Sequence, residues 1–251
     1  MNAHFESAER FKNEGRFDEA IEELRLALRL DPACSETILR LARLFYFSKQ
    51  FPESISSFIH AEARGAKLDA DDFFILGEAY ATKSFHRKAI ESYDRSLALA
   101  DRADTHIVRG NSFQTLQDLD RAARAYEDAL RLEPNHGGAL CSLASVHAKR
   151  GDFSKALQEY GKWIHRQPKY ETTRHSEVVA RLINGNPSSA LEEVGMILNE
   201  NAKDAEAWFL RGYANADLRQ VDRAVQALEE CLKLSTHHPL ALSLLLHLKK
   251  S

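Results

Sequence analysis

Apolar residues along this chain recur at helical spacing, and the alternation of apolar and polar stretches returns about every 34 residues. The stretch GRFDEAIEELRLALRLDP begins at Gly15, and KRGDFSKALQEYGKWIHRQP begins at Lys149. Between them lie a weaker SFHRKAIESYDRSLALAD from Ser84 and QDLDRAARAYEDALRLEP from Gln117. Spacings such as Ile21, Leu24, Leu28 and Tyr126, Leu130 place the apolar set on one face of a helix. The pattern predicts a pair of amphipathic helices in each period and an all-α chain. One such pair cannot bury its apolar face alone, whereas stacked neighbours bury a continuous core.

Counting Met1 as position 1 of the first period gives the pattern a register. Small residues fall at position 8 (Ala8, Ala42, Gly77, Gly110, Ala144, Gly212) and at position 20 (Ala20, Ser54, Ala89, Ala122, Ala156, Ala190, Ala224). Larger residues fall at position 24 (Leu24, Phe58, Tyr93, Tyr126, Tyr160, Val194, Leu228). Small side chains at 8 and 20 let the two helices of a period approach closely, and the residue at 24 fills the space beside them. Pro32, Pro134 and Pro168 close three periods, because proline lacks the amide donor and clashes with the preceding turn. Gly15, Gly151 and Gly185 stand in the turns between paired helices.

Together these positions resemble the tetratricopeptide repeat over nearly all 251 residues. The resemblance implies a right-handed α-α superhelix, a tetratricopeptide solenoid. It sets repeats at 1–34, 35–69, 70–102, 103–136, 137–170, 171–204 and 205–238, a single array without an interior linker. Asp69 adds one residue and the turn near Arg102 lacks one, both between helices. The remainder, PLALSLLLHLKKS over 239–251, is expected to be a helix capping the open face of the last repeat.

The sixth repeat departs most from the pattern. The template puts Arg174, Glu177 and Arg181 at core positions. Sliding the first helix by one residue puts His175, Val178, Val179 and Leu182 there instead, and INGNPSS must absorb the offset. Gly195 weakens the next helix by about 1 kcal/mol relative to Ala. A local distortion is expected, as a hinge or as tolerated drift.

Composition adds limits. The 34 Lys and Arg nearly balance the 37 Asp and Glu, for a formal net charge of −3. Neither half is strongly basic, which argues against a nucleic-acid footprint. Cys34, Cys141 and Cys231 are few, odd in number and far apart, so no disulfide framework is expected. The amphipathic N-terminus lacks the apolar core of a signal peptide, and no stretch approaches the roughly 20 apolar residues of a membrane span. A cytoplasmic location is expected, with a removed leader or anchor compatible with a chain that starts on the first residue of a repeat.

Reactive chemistry has no foothold in the pattern. The histidines form no cluster at metal-ligand spacing, and His237-His238 reads as a solvated turn. Gly137-Gly138 lacks the Lys-Ser/Thr of a phosphate loop. Glu22-Glu23 and Glu192-Glu193 read as exposed helix faces. No enzyme activity, cofactor or metal is expected.

The resemblance instead implies a concave groove lined by the first helix of each repeat. Position 5 gives Phe5, Leu39, Phe74 and Ile107, an expected apolar ribbon that Phe47 joins, continued by Cys141, His175 and Phe209. Glu9, Arg40, Arg43 and Glu78 flank it, and Asn111 and Gln114 add amides. Such a surface suits a protein or peptide segment with apolar anchors and a few charges, since aromatic and Arg anchors dominate many interfaces. Alternatively, Phe5, Leu39 and Phe74 pack between helices while Arg40, Arg43, Glu9 and Glu78 pair with each other. The two-carboxylate clamp of chaperone-binding relatives is not matched: its five positions read Phe5, Glu9, Arg40, Asp71 and Ile75. The leading expectation is a noncatalytic interaction scaffold. The alternative is an assembly subunit that self-associates or docks through its ends or convex face.

Overall fold

A computed structural model describes residues 2–166 and 174–250. Pro168 and the expected junction at 170/171 lie outside the described residues. Among those described are fifteen helices and no strand: α1 (Asn2–Asn13), α2 (Phe17–Leu30), α3 (Ser35–Phe47), α4 (Phe51–Ala63), α5 (Ala70–Thr82), α6 (His86–Leu99), α7 (Ala103–Thr115), α8 (Leu119–Leu132), α9 (Gly137–Lys149), α10 (Phe153–Ile164), α11 (Arg174–Ile183), α12 (Pro187–Glu200), α13 (Ala205–Asp217), α14 (Val221–Leu234) and α15 (Ala241–Leu248). The chain falls into two compact units, Met1–Gln117 and Asp118–Ser251. Both are stacks of paired helices in which each helix packs on its neighbours in sequence.

The close approach of paired helices has a direct steric cause. A Cβ on Gly77 would stand 2.4 Å from Cε1 of Tyr93, and one on Gly212 would stand 2.7 Å from Cγ of Leu228. Position 24 therefore rests on position 8. Tyr93, Tyr126 and Tyr160, all at position 24, are fully buried, and burying each large side chain contributes on the order of 1.5–3 kcal/mol. Where position 20 is Ser54, its hydroxyl donates 2.8 Å to the carbonyl of Ala42 at position 8, so the buried oxygen has a partner.

The turn between paired helices is the same throughout. Its residue at position 15 is left-handed, with φ between 59° at Arg219 and 83° at Gly151. Glycine takes this conformation without steric cost, at Gly15, Gly151 and Gly185. Lys49, Ser84, Gln117 and Arg219 adopt it despite a Cβ.

In the sixth repeat the shifted register is the one adopted. His175, Val178, Val179 and Leu182 are buried, while Arg174 and Glu177 are exposed. The displaced cations find an acid: Nε of Arg174 and Nη2 of Arg181 each lie 3.4 Å from Glu193. Glu193 is thus buried, which corrects the expectation of an exposed Glu192-Glu193 face.

The C-terminal segment contacts more than the helix pair that precedes it. α15 packs on α14 and α13 and also reaches α9, with His247 edge-on to Phe153 at 5.0 Å. His238 is buried, contrary to the solvated turn expected of His237-His238; His237 alone is exposed. Nδ1 of His238 accepts from the amides of Leu240 at 3.3 Å and Ala241 at 3.2 Å, serving the start of α15. Its Nε2 lies 3.4 Å from Glu206, whose other oxygen accepts from the Tyr160 hydroxyl at 2.6 Å. A buried carboxylate is costly unless hydrogen-bonded, and here two partners meet that need.

Candidate functional site

All eleven groove residues chosen from the sequence lie in the first unit. Five of them, Phe5, Glu9, Arg40, Arg43 and Phe47, line one cavity of about 320 Å³ between α1, α2 and α3. Ala8, Lys12, Leu24 and Leu44 complete its wall. Phe47 is 46% exposed and stacks on Phe17 with ring centroids 6.3 Å apart. The Arg40 guanidinium stands 4.9 Å over the Phe5 ring and donates through Nε to Glu36 at 2.8 Å. Glu9 meets Lys12 at 2.5 Å.

Arg43 is held most tightly. Its Nε and Nη2 donate to the two oxygens of Asp72 at 2.6 and 2.8 Å, and Nη2 also meets Asp69 at 3.2 Å. Asp72 is wholly buried. Asp69 and Asp72 also form a capping box at the start of α5: each carboxylate accepts from the other residue's amide, at 2.8 and 3.1 Å, satisfying two otherwise orphan donors. Hydrogen bonding to Asp72 raises the Arg43 pKa above its ordinary value. Sequence reasoning missed Asp72, although Asp-x-x-Asp before FFIL is the signature of such a cap.

The expected apolar ribbon is only partly present. Leu39 is 3% exposed and belongs, with Phe74 packed against it, to a core cluster that includes Phe58, Leu76 and Tyr93. Ile107 is half-buried. Glu78 accepts the Tyr93 hydroxyl at 2.5 Å, and burial, followed by this bond, raises the Tyr93 pKa. Asn111 is exposed and Gln114 half-buried on α7. The charged candidates are therefore occupied, with Glu36, Asp72, Lys12 and Tyr93 as partners rather than with one another. Phe74, Glu78, Ile107, Asn111 and Gln114 stand outside the cavity.

In the second unit position 5 is largely covered. Phe209 is fully buried, with His238 at 4.4 Å between ring centroids, and His175 is buried with Asp204 at 3.1 Å. The returning C-terminal segment supplies the cover at Phe209. Cys34, Cys141 and Cys231 are free thiols. Burial pushes Cys231 up to about 12 and raises Cys141, which disfavours the reactive thiolate. Among the described residues no group of three or more His, Cys, Asp or Glu could hold a metal ion, and no helix is long and apolar enough to cross a membrane.

Comparison with known proteins adds the family. A tetratricopeptide repeat profile matches residues 107–171, and a second matches 3–34 and 205–238. A curated relative, the BBSome complex member BBS4 of Bos taurus, is 25% identical over 68% of this chain but 32% of its own length. The chain thus spans about a third of that relative. Among solved structures, the C-terminal part of a tetratricopeptide repeat-containing protein from Cytophaga hutchinsonii superposes with a TM-score of 0.67 at 17% identity, covering 96% of this chain and 99% of that one. YrrB, described as a tetratricopeptide protein with an unusual peptide-binding site, superposes with a TM-score of 0.52 at 15% identity, covering 91% and 98%. These likenesses establish the fold. With the two profiles together matching more than half of the residues, in helices packed by the 8–20–24 rule, the chain belongs to the tetratricopeptide repeat family.

Proposed function

We propose that this protein is a noncatalytic interaction scaffold that takes a peptide or protein segment into the cavity of its first unit. The observation that carries the reading is the convergence of Phe5, Arg40 and Phe47 on one open cavity of about 320 Å³. It offers an aromatic wall for an apolar anchor and a guanidinium at its edge. YrrB, with its peptide-binding site, supports the class of ligand. On this reading the helix pairs are seven repeats, α15 is the closing helix, and three free thiols suit a reducing, cytoplasmic setting.

The test is selection of peptides from a random library on the whole chain. Binding is then measured for the parent and for Phe47→Glu with Arg40→Glu. Both side chains are over a third exposed, so the variant should melt near the parent. Peptides lost from the folded variant support the reading; peptides bound equally by both sink it. Arg43 and Phe74 are unsuited to this test because each is built into the packing.

A second reading is an assembly subunit. Leu30 and Leu99, at equivalent positions on α2 and α6, are 66% and 59% exposed, and BBS4 is named as a complex member. Sedimentation separates the two: a self-associating chain that dissociates on Leu30→Glu with Leu99→Glu, with the cavity intact, favours assembly.

A further inference from the structure

A second cavity, of about 590 Å³, opens in the second unit between α12, α13 and α14. Two departures from the repeat pattern create it. Positions 7 and 11 of the first helix are apolar and buried in the second and third repeats, as Leu41 with Phe45 and Leu76 with Tyr80. In the seventh repeat they are Arg211 and Asn215. Position 25 of the preceding helix is Gly195. The same position in the fifth repeat, Gly161, is pressed by its neighbour, since a Cβ there would stand 2.9 Å from Cγ1 of Val179. A Cβ on Gly195 would meet nothing within 4 Å. At Gly195 the surface of α12 therefore faces open space, where at Gly161 the surface of α10 meets the side chains of α11.

The chemistry of the wall is uneven in charge. The Arg211 guanidinium lies 5.4 Å over the ring of Trp208, and that ring is oriented by its indole N–H donating to the Ala202 carbonyl at 2.9 Å. Arg223 donates to the amide oxygen of Gln220 at 2.9 Å. Among the described residues neither arginine meets a carboxylate, unlike Arg43, Arg174 and Arg181. The acid of the wall, Glu230, is taken by Lys233 at 2.5 Å. Leu191 and Ala227 supply an apolar floor. Guanidinium groups donate in pairs to carboxylate oxygens, and an indole face packs an apolar side chain at low entropic cost.

We propose that this cavity docks an acidic peptide segment, with its carboxylates on Arg211 and Arg223 and an apolar side chain against Trp208 and Leu191. The argument is charge complementarity: two cations left without acids border a preformed apolar recess. The site lies in the second unit and is independent of the cavity of the first.

The experiment uses the whole chain and a peptide alternating Glu and Leu, with Gln–Leu and Lys–Leu counterparts as controls. Binding is followed by calorimetry. It is also followed by fluorescence in Trp163→Phe, which leaves Trp208 as the sole tryptophan. The Glu peptide is expected to bind saturably at low salt, to shift the Trp208 emission, and to weaken as salt rises. The Gln peptide should bind at least tenfold more weakly, and Arg211→Glu with Arg223→Glu should cost at least tenfold in affinity for the Glu peptide. Gly195→Leu fills the recess while improving the helix, so it should melt at or above the parent temperature and lose the peptide. The proposal is overturned if Gln and Glu peptides bind alike, if the reversed arginines leave affinity unchanged, or if Gly195→Leu binds as the parent does. It is equally overturned if sedimentation shows a second copy of this chain held through Arg223, or if inorganic phosphate competes fully and the peptide adds nothing.

Discussion

Replacing Gly77 with alanine sets helix propensity against packing. Propensity alone favours Ala in a helix by about 1 kcal/mol. The new Cβ would stand 2.4 and 2.6 Å from two carbons of the Tyr93 ring. That ring cannot swing away: it is fully buried, and its hydroxyl is anchored on Glu78 at 2.5 Å. Overpacking of this kind costs about 1–3 kcal/mol, and so close an approach belongs at the upper end. The balance is a net loss of about 2 kcal/mol, or roughly 4–8 °C in melting temperature for a chain of this size. Melting followed by circular dichroism, with calorimetry to test whether the transition is two-state, measures it. Gly195→Ala is the control, because its Cβ meets open space and should add about 1 kcal/mol. In a Tyr93→Leu background the cost of Gly77→Ala should fall by 1 kcal/mol or more, a coupling expected only of residues in contact. A Gly77→Ala chain that melts higher, as Gly195→Ala should, would refute the reasoning. So would an undiminished cost in the Tyr93→Leu background.

Asp72→Asn removes the charge opposite Arg43 and should lower stability by about 1–3 kcal/mol in urea titration; the full cost of breaking a buried pair, about 3–5 kcal/mol, is reduced because Arg43 is 36% exposed. Asp69→Asn, at a carboxylate 61% exposed, should cost under about 1 kcal/mol because Asn also caps helices. His238→Ala takes the acceptor from the amides that begin α15 and a partner from buried Glu206, and should cost about 2–4 kcal/mol, with hydrogen exchange accelerated across α15. His147 is held below its ordinary pKa, first by burial and then by Arg150. The unfolded chain therefore takes up this proton first as pH falls below about 6.5. Its effect is to remove stability with falling pH, from that point down to the folded value, and His147→Gln should shrink the difference in melting temperature between pH 7.5 and pH 5.5.

The two-helix period and the contact of position 24 with position 8 were legible because both are steric and local. A large residue at 24 needs a small one at 8, and the two lie about 16 residues apart in all periods but the sixth. The shifted register of α11 was legible for a similar reason, since only one register buries Val178, Val179 and Leu182 together. The groove was less legible. Periodicity assigns a residue to a face but does not name what stands opposite. Leu39 faces the expected side and is nevertheless covered by its neighbours. Arg43 faces that side too, and its carboxylate comes from the start of the next helix pair. Nothing in the pattern signals that a segment near His238 returns to cover Phe209.

The same limit explains why the second cavity escaped the sequence reading. Gly195, Arg211 and Asn215 each look like tolerable drift from a degenerate repeat. The glycine weakens one helix, and the two polar residues occupy positions that are apolar in only some repeats. Their significance is joint: the glycine withdraws bulk on one side of a seam, and the polar pair withdraws hydrophobic fill on the other. A recess with unpaired cations results only when both happen across the same seam. In a fold whose conforming positions are occupied with holding helices together, departures from the template that coincide in space mark where recognition chemistry can reside.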